Sequence, residues 1–157
     1  MSSTLFKKIF RLATGSVRIV RVRRRRVGAL SGGGARTYRA HKEVARTLVH
    51  RKLAELNQHY QLSWGKVAIR NQRSRWGSCS KKGNLNFNYR IVFLPTHLQD
   101  YIIVHELCHL AVFDHSATFW ARVAETIPNH ALRRKELTML VRKGLNAHSK
   151  DMPGPIV

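Results

Sequence analysis

The sequence predicts an α+β domain: a small antiparallel sheet packed on one buried helix, with further helices after it. Three observations carry this. Residues 85–93, LNFNYRIVF, alternate Leu85, Phe87 and Tyr89 with Asn86, Asn88 and Arg90, the two-residue period of a strand. Residues 97–112 place Ile102, Ile103, Val104, Leu107, Cys108, Leu110 and Ala111 all round a helix, and a helix apolar on every side belongs in an interior. From about Thr37 to Tyr60, apolar positions recur at helical spacing (Val44, Ala45, Leu48, Val49, Leu53, Leu56, Tyr60), with basic residues on the other face.

In chain order, residues 16–27, SVRIVRVRRRRV, mix β-branched residues with arginine. They suit a strand with one positive face, or an arm unfolded in solution. Residues 28–34, GALSGGG, have linker composition. Residues 1–34 are therefore expected to be a basic arm and Gly-rich linker, 35–150 the compact domain and 151–157 a tail. Asn57 to Gly65 ends the first helix, and Val67 to Arg70 is a short strand. Gly83 and Asn84 supply turn chemistry before the strand at 85–93, so an antiparallel pair or a small sheet is expected. Pro95 stops that strand. Thr96 then reads as an N-cap, with Gln99 completing a capping box. Ser116 caps a helix through Phe119, Trp120, Val123 and Ile127, which Pro128 ends. Asn129 caps a last helix through Leu132, Leu137, Leu140 and Val141, with Gly144 as its stop signal.

Composition narrows the class. The chain has 157 residues, the length of one domain with a core of its own, and carries 29 basic against 8 acidic residues. The net charge is +21, yet residues 96–157 hold 7 basic and 6 acidic residues, so the excess lies in the first two thirds. Charge that dense attracts polyanions such as nucleic acid, the ribosome or acidic lipid; a solvated basic tail is the plainer reading. Two cysteines, Cys79 and Cys108, exclude a disulfide scaffold and suit a reducing compartment. No apolar run reaches membrane-spanning length, and MSSTLFKKIF is too short and charged for a secretory signal. A soluble, cytoplasmic protein is expected.

The helix at 97–112 carries His105, Glu106 and His109. Histidines four residues apart lie on one helix face, with the glutamate beside them. Burying two imidazoles and a carboxylate is costly unless something pairs with them, and a divalent cation does. In H-E-x-x-H on a helix, two imidazoles bind zinc and the glutamate acts as general base on a water held by the metal. The plain alternative is a pair of core histidines with a chance glutamate. A catalytic zinc needs a third protein ligand and one open position. His115 follows His109 by six positions, far enough for the chain to turn back, and Glu125 on the next helix is the rival. Asp114 could orient a ligand, while His130 reads as a surface histidine. In RSRWGSC, Arg75, Trp76 and Ser78 either line a substrate groove or belong to a loop that Trp76 anchors in the core. Cys79 and Cys108 read as ordinary thiols rather than ligands.

Three stretches, RSRWGSCSKKGNLNFNYRIVFLP, VHELCHL and DHSATFW, resemble the YgjP-like metallopeptidases, relatives of the SprT-like zinc proteases, over about residues 63–135. The resemblance implies a zincin-like domain, with a small sheet packed on an active-site helix. It implies His105, His109 and His115 as ligands of one Zn2+ per chain, and Glu106 as catalytic base. Val112 stands where the metzincins carry glycine, which separates the chain from them.

The resulting expectation is a zinc-dependent metallopeptidase acting on peptides or proteins, with its basic arm able to hold nucleic acid. The rival of another class is a nucleic-acid- or ribosome-binding protein with a non-catalytic zinc site, and a third reading is a zinc hydrolase acting on something other than peptides.

Overall fold

The computed structural model describes residues 31–142. The basic arm up to residue 30, the stop signal at Gly144 and the tail at 151–157 lie outside the described residues. Four helices and a three-stranded sheet follow in the order α1 (Ser31–Tyr60), β1 (Val67–Arg70), β2 (Gly77–Cys79), β3 (Leu85–Asn88), a 3-10 helix (Tyr89–Phe93), α2 (Thr96–Cys108), α3 (Ala117–Ala124) and α4 (His130–Arg142). The α+β expectation is met.

Helix α1 begins at Ser31, so Gly32 to Gly34, read as linker, are helical. Ala45, Val49 and Leu53 form its buried stripe at four-residue steps, with Tyr60 two turns further on, while Val44 is exposed. Lys52 is buried on the same side and pairs with Asp100 of α2, which removes the cost of an isolated buried ammonium. The helix ends where Gln61 takes a left-handed conformation, φ 52°, and Asn57 hydrogen-bonds both backbone groups of Leu62.

The sheet order is β1-β3-β2, with β2 antiparallel and β1 parallel to β3. Two expectations are corrected here. The strand at 67–70 pairs parallel, because β2 intervenes in the chain and takes the hairpin position beside β3. That hairpin closes through Gly83, whose φ of +72° needs glycine and whose N–H donates to the Ser80 carbonyl at 2.8 Å. The strand read over 85–93 stops at Asn88. There the Asn88 side chain accepts from the Arg90 N–H and donates to the Gln72 and Arg75 carbonyls, leaving the ladder for a 3-10 turn. Tyr89 and Ile91 remain buried, but so do Asn88 and Arg90, so the alternation identified the apolar positions that enter the core and missed the two polar ones that follow them inside.

Helix α2 is the centre of the domain. Leu98, Tyr101, Ile102, Ile103, Val104, Leu107 and Cys108 are fully buried, and α1, β2, α3 and α4 pack around them. Its N-cap is Pro95, not Thr96. Proline has no N–H for a capping box, so Gln99 donates instead to the Leu94 carbonyl at 2.8 Å. The helix closes at Cys108 rather than Val112, through tightened bonds from Leu110 to Leu107 and from Ala111 to Cys108. Ser116 caps α3 as expected, its hydroxyl accepting from the Phe119 N–H. In α4 Leu137 is buried and Leu132 exposed. No helix among the described residues is long and apolar enough to cross a membrane.

Candidate metal centre and cleft

His105 and His109 leave the last turn of α2 on one face, and the early close of that helix lets the chain bring His115 back over them. Their Nε2 atoms converge: His109 to His105 is 3.1 Å and His115 to His105 is 3.2 Å. Two nitrogens on one tetrahedral zinc, each about 2.0–2.1 Å from it, stand about 3.3–3.4 Å apart. The His109 Nδ1–H donates to the Val112 carbonyl at 3.0 Å when Nε2 is bare, so that interaction fixes the ligand tautomer. The three Nε2 atoms otherwise meet through contacts in which one imidazole must donate to another, and a cation between them can take the place of that proton. Among the described residues these three histidines are the group able to hold a metal ion, and the donor set fits a divalent cation.

Burial favours the neutral form of every titratable group in the cluster. Desolvation pushes the His105 imidazole down to about 2, with His109 and His115 adding to the effect. His109 and His115 are also lowered, again mainly by burial, so the cluster stays neutral and ready to ligate. Glu106 is buried, its Oε2 has no hydrogen-bond partner, and burial raises its carboxyl to about 8 against the opposing pull of Arg75.

A cavity of about 400 Å³ lies over the cluster. Ser74, Arg75, Gly77, Ser78 and Cys79 line one wall, and His105, Glu106, His109, Phe113 and His115 the other. Arg75 and Ser78 thus stand where a groove was expected. Trp76 does not: it is fully buried and anchors the loop in the core. Cys79 faces the cavity, with its thiol pushed up to about 11 by burial and, secondarily, by Glu106.

The rival ligand Glu125 is engaged elsewhere, its Oε2 2.9 Å from His59 Nε2. Asp114 accepts from the Ser116 N–H, supporting the start of α3 rather than a histidine. His130 is not a solvated surface group: it stacks on Trp120 at 5.1 Å and 13°.

Sequence reasoning missed three parts of the site. Gly77 lies directly against Glu106; a Cβ there would meet Oε1 at 2.5 Å and Cγ at 2.6 Å. Phe119 stacks on His109 at 4.4 Å, and Trp120 on His115 at 5.6 Å, so two adjacent residues of α3 each support one imidazole. The glycine inside RSRWGSC was a usable signal, since a strand glycine often marks a close approach. Nothing local distinguished Phe119 and Trp120 from an ordinary core face.

Comparison with known proteins agrees with this geometry. The family described as "YgjP-like, metallopeptidase domain" matches residues 21–139, reaching further toward the N-terminus than the three motifs. The zymogen of Pyrococcus abyssi abylysin, a metallopeptidase, is similar at TM-score 0.54 and 25% identity, over 60% of this chain and 95% of that one. The metallopeptidase zymogen of Methanocaldococcus jannaschii jannalysin shares the fold at TM-score 0.51 and 20% identity, over 60% and 96%. No curated protein matches the chain.

Proposed function

Because the chain belongs to the YgjP-like metallopeptidase family, we propose that it is a zinc-dependent peptidase in which His105, His109 and His115 hold the ion and Glu106 is the general base. The convergence of three imidazole nitrogens beside a buried, unpartnered carboxyl carries this reading. An all-imidazole donor set favours zinc over harder ions, and three protein ligands leave one tetrahedral position for chemistry. When bound, the ion supplies Lewis acidity, acidifying water and polarising a peptide carbonyl. Glu106 takes a proton from the attacking water on a carboxylate oxygen and passes it to the departing amine. The Val112 carbonyl holds His109 in its ligand tautomer. β2 is the sheet's edge strand on the cavity wall, so its outer backbone groups suit a peptide laid alongside as a further strand. Arg75 and Ser78 flank that path.

The test is metal analysis with a peptidase assay on the wild type and Glu106→Gln. One zinc per chain is expected in both, with activity lower in the variant by about 10²–10⁴-fold. A variant that cleaves as fast as the wild type rules out Glu106 as the base. The rival reading, a basic protein with a purely structural zinc, needs a fourth protein ligand, and the cluster among the described residues has three histidines.

Trp120 is proposed to steady His115 through their stacked rings. Trp120→Leu, at a half-buried position, is expected to weaken zinc binding by about 10–100-fold, as loss of an outer partner of a ligand does. A competition titration with a chelator measures it, and the cobalt form's visible spectrum reports the disturbed ligand set. Trp120→Phe is expected to restore most of the affinity.

The exposed side of α1 carries Arg36, Arg39, Arg46 and Arg51, which supports contact with a polyanion such as nucleic acid. Free Cys79 and Cys108 support a cytoplasmic location.

A further inference from the structure

We propose that Arg75 makes the cleft selective for substrates that present a carboxylate, either an acidic side chain or a free C-terminus. The proposal rests on the peptidase reading for its context and adds the class of substrate.

Arg75 combines a fixed backbone with an uncommitted head. Its carbonyl accepts from Asn88 Nδ2 at 3.1 Å. The same amide nitrogen holds the Gln72 carbonyl at 2.7 Å, and Arg90 binds that carbonyl again at 3.1 Å. Next in the chain, Trp76 is fully buried, and its carbonyl accepts from the Asn88 N–H at 2.7 Å. The loop is thus pinned on both sides of Arg75. The side chain is nevertheless exposed on the cavity wall and forms no ion pair among the described residues. Its charge acts on Glu106, but the two form no ion pair, and Glu106 stays buried with Oε2 unpartnered. A guanidinium presents its donors in a planar fork matched to a carboxylate, and an anchored one loses less freedom on binding.

The surroundings favour the same partner. Beyond the cluster, Arg134 lies over the Trp120 ring at 5.4 Å, and its positive charge acts on His105 and His115. Among the described residues the cavity lining holds one carboxyl, Glu106, which is buried, while Asp114, next to His115, is exposed and bonded to the Ser116 N–H. Positive charge on both flanks of a concave site concentrates anionic ligands there and repels cationic ones.

The test uses Glu106→Gln protein loaded with zinc, so that binding is read without turnover. Fluorescent peptides of one backbone carry Glu, Gln or Lys at the central position, all C-terminally amidated, and a fourth carries Gln with a free C-terminus. By anisotropy at low ionic strength, the Glu peptide, the free-acid peptide or both should bind about tenfold tighter than the amidated Gln peptide, the effect of one charge-assisted contact. Which of them gains identifies the carboxylate's source. Arg75→Gln should remove the advantage, and Arg75→Glu should reverse it toward Lys. Equal binding of all four peptides, or an advantage that survives Arg75→Gln, overturns the proposal. So does a single-stranded oligonucleotide whose binding, rather than the peptides', falls in Arg75→Gln. Cleavage by the wild type is scored separately. Carboxylate-dependent binding without cleavage sinks the peptidase reading alone, and cleavage without carboxylate preference sinks this one alone.

Discussion

Alanine in place of His105 is expected to leave the protein folded but unable to retain zinc through dialysis, with peptidase activity below detection. His105 Nε2 stands 3.1 and 3.2 Å from the other two candidate ligand nitrogens, so its removal takes away the corner of the triangle that is close to both. The affinity loss should exceed about 100-fold, the upper range for losing a mere outer-shell partner of a ligand. Stability should separate the metal's contribution from the fold's. A metal that binds only the native state adds about 2.7 kcal/mol at a concentration 100 times its Kd. Wild-type protein should therefore melt several degrees higher with zinc than without, and His105→Ala should melt alike in both. In the metal-free state the substitution opens a small cavity but removes the His105 Nδ1, buried without a hydrogen-bond partner, and the two changes oppose each other. Glu125→Ala is the control, because that carboxylate pairs with His59 and should leave zinc binding unchanged. A His105→Ala protein that still takes up one zinc per chain with wild-type affinity places the metal elsewhere.

The parts of this arrangement legible in the sequence are those written in local chemistry. His105, Glu106 and His109 share one turn of one helix, and helix geometry alone gives their relation. His115 follows a turn short enough to bring it back. The apolar girth of α2 announced its burial, and the cap of α3 was legible from Ser116. What escaped depends on contacts distant in the chain. β2 is three residues, Gly77, Ser78 and Cys79, with no β-branched side chain and too few positions to show a period. Its existence is decided by pairing with Leu85 to Phe87. The parallel partnership of β1 with β3 likewise depends on what intervenes. Asn88 looked like one more polar strand position, and only the loop at Gln72 and Arg75 turns it into the residue that ends the strand. Phe119 and Trp120 show the same limit. Their burial was readable, and the imidazoles they support were not.

Gly77→Ala is expected to cost nearly as much activity as loss of the base, about 10²–10⁴-fold in kcat/KM, while zinc content stays at one per chain. The added methyl would sit 2.5 Å from Glu106 Oε1, 2.6 Å from Cγ and 2.7 Å from Cδ, closer than such atoms approach. Glu106 is buried and cannot swing into open space, so either its carboxyl leaves its position or β2 moves off the helix. Both displace the base from the cavity, whereas the three imidazoles belong to α2 and the segment after it and keep their places. Overpacking of this kind destabilises by about 1–3 kcal/mol, which a urea or thermal melt resolves. The cause is isolated by a double-mutant cycle. Glu106→Ala deletes Cγ, Cδ and Oε1, so adding Gly77→Ala to that background should cost little further stability, giving a coupling of about the size of the original penalty. If Gly77→Ala is as damaging without the Glu106 side chain as with it, the glycine serves the strand alone and the contact between β2 and the base is not what requires it.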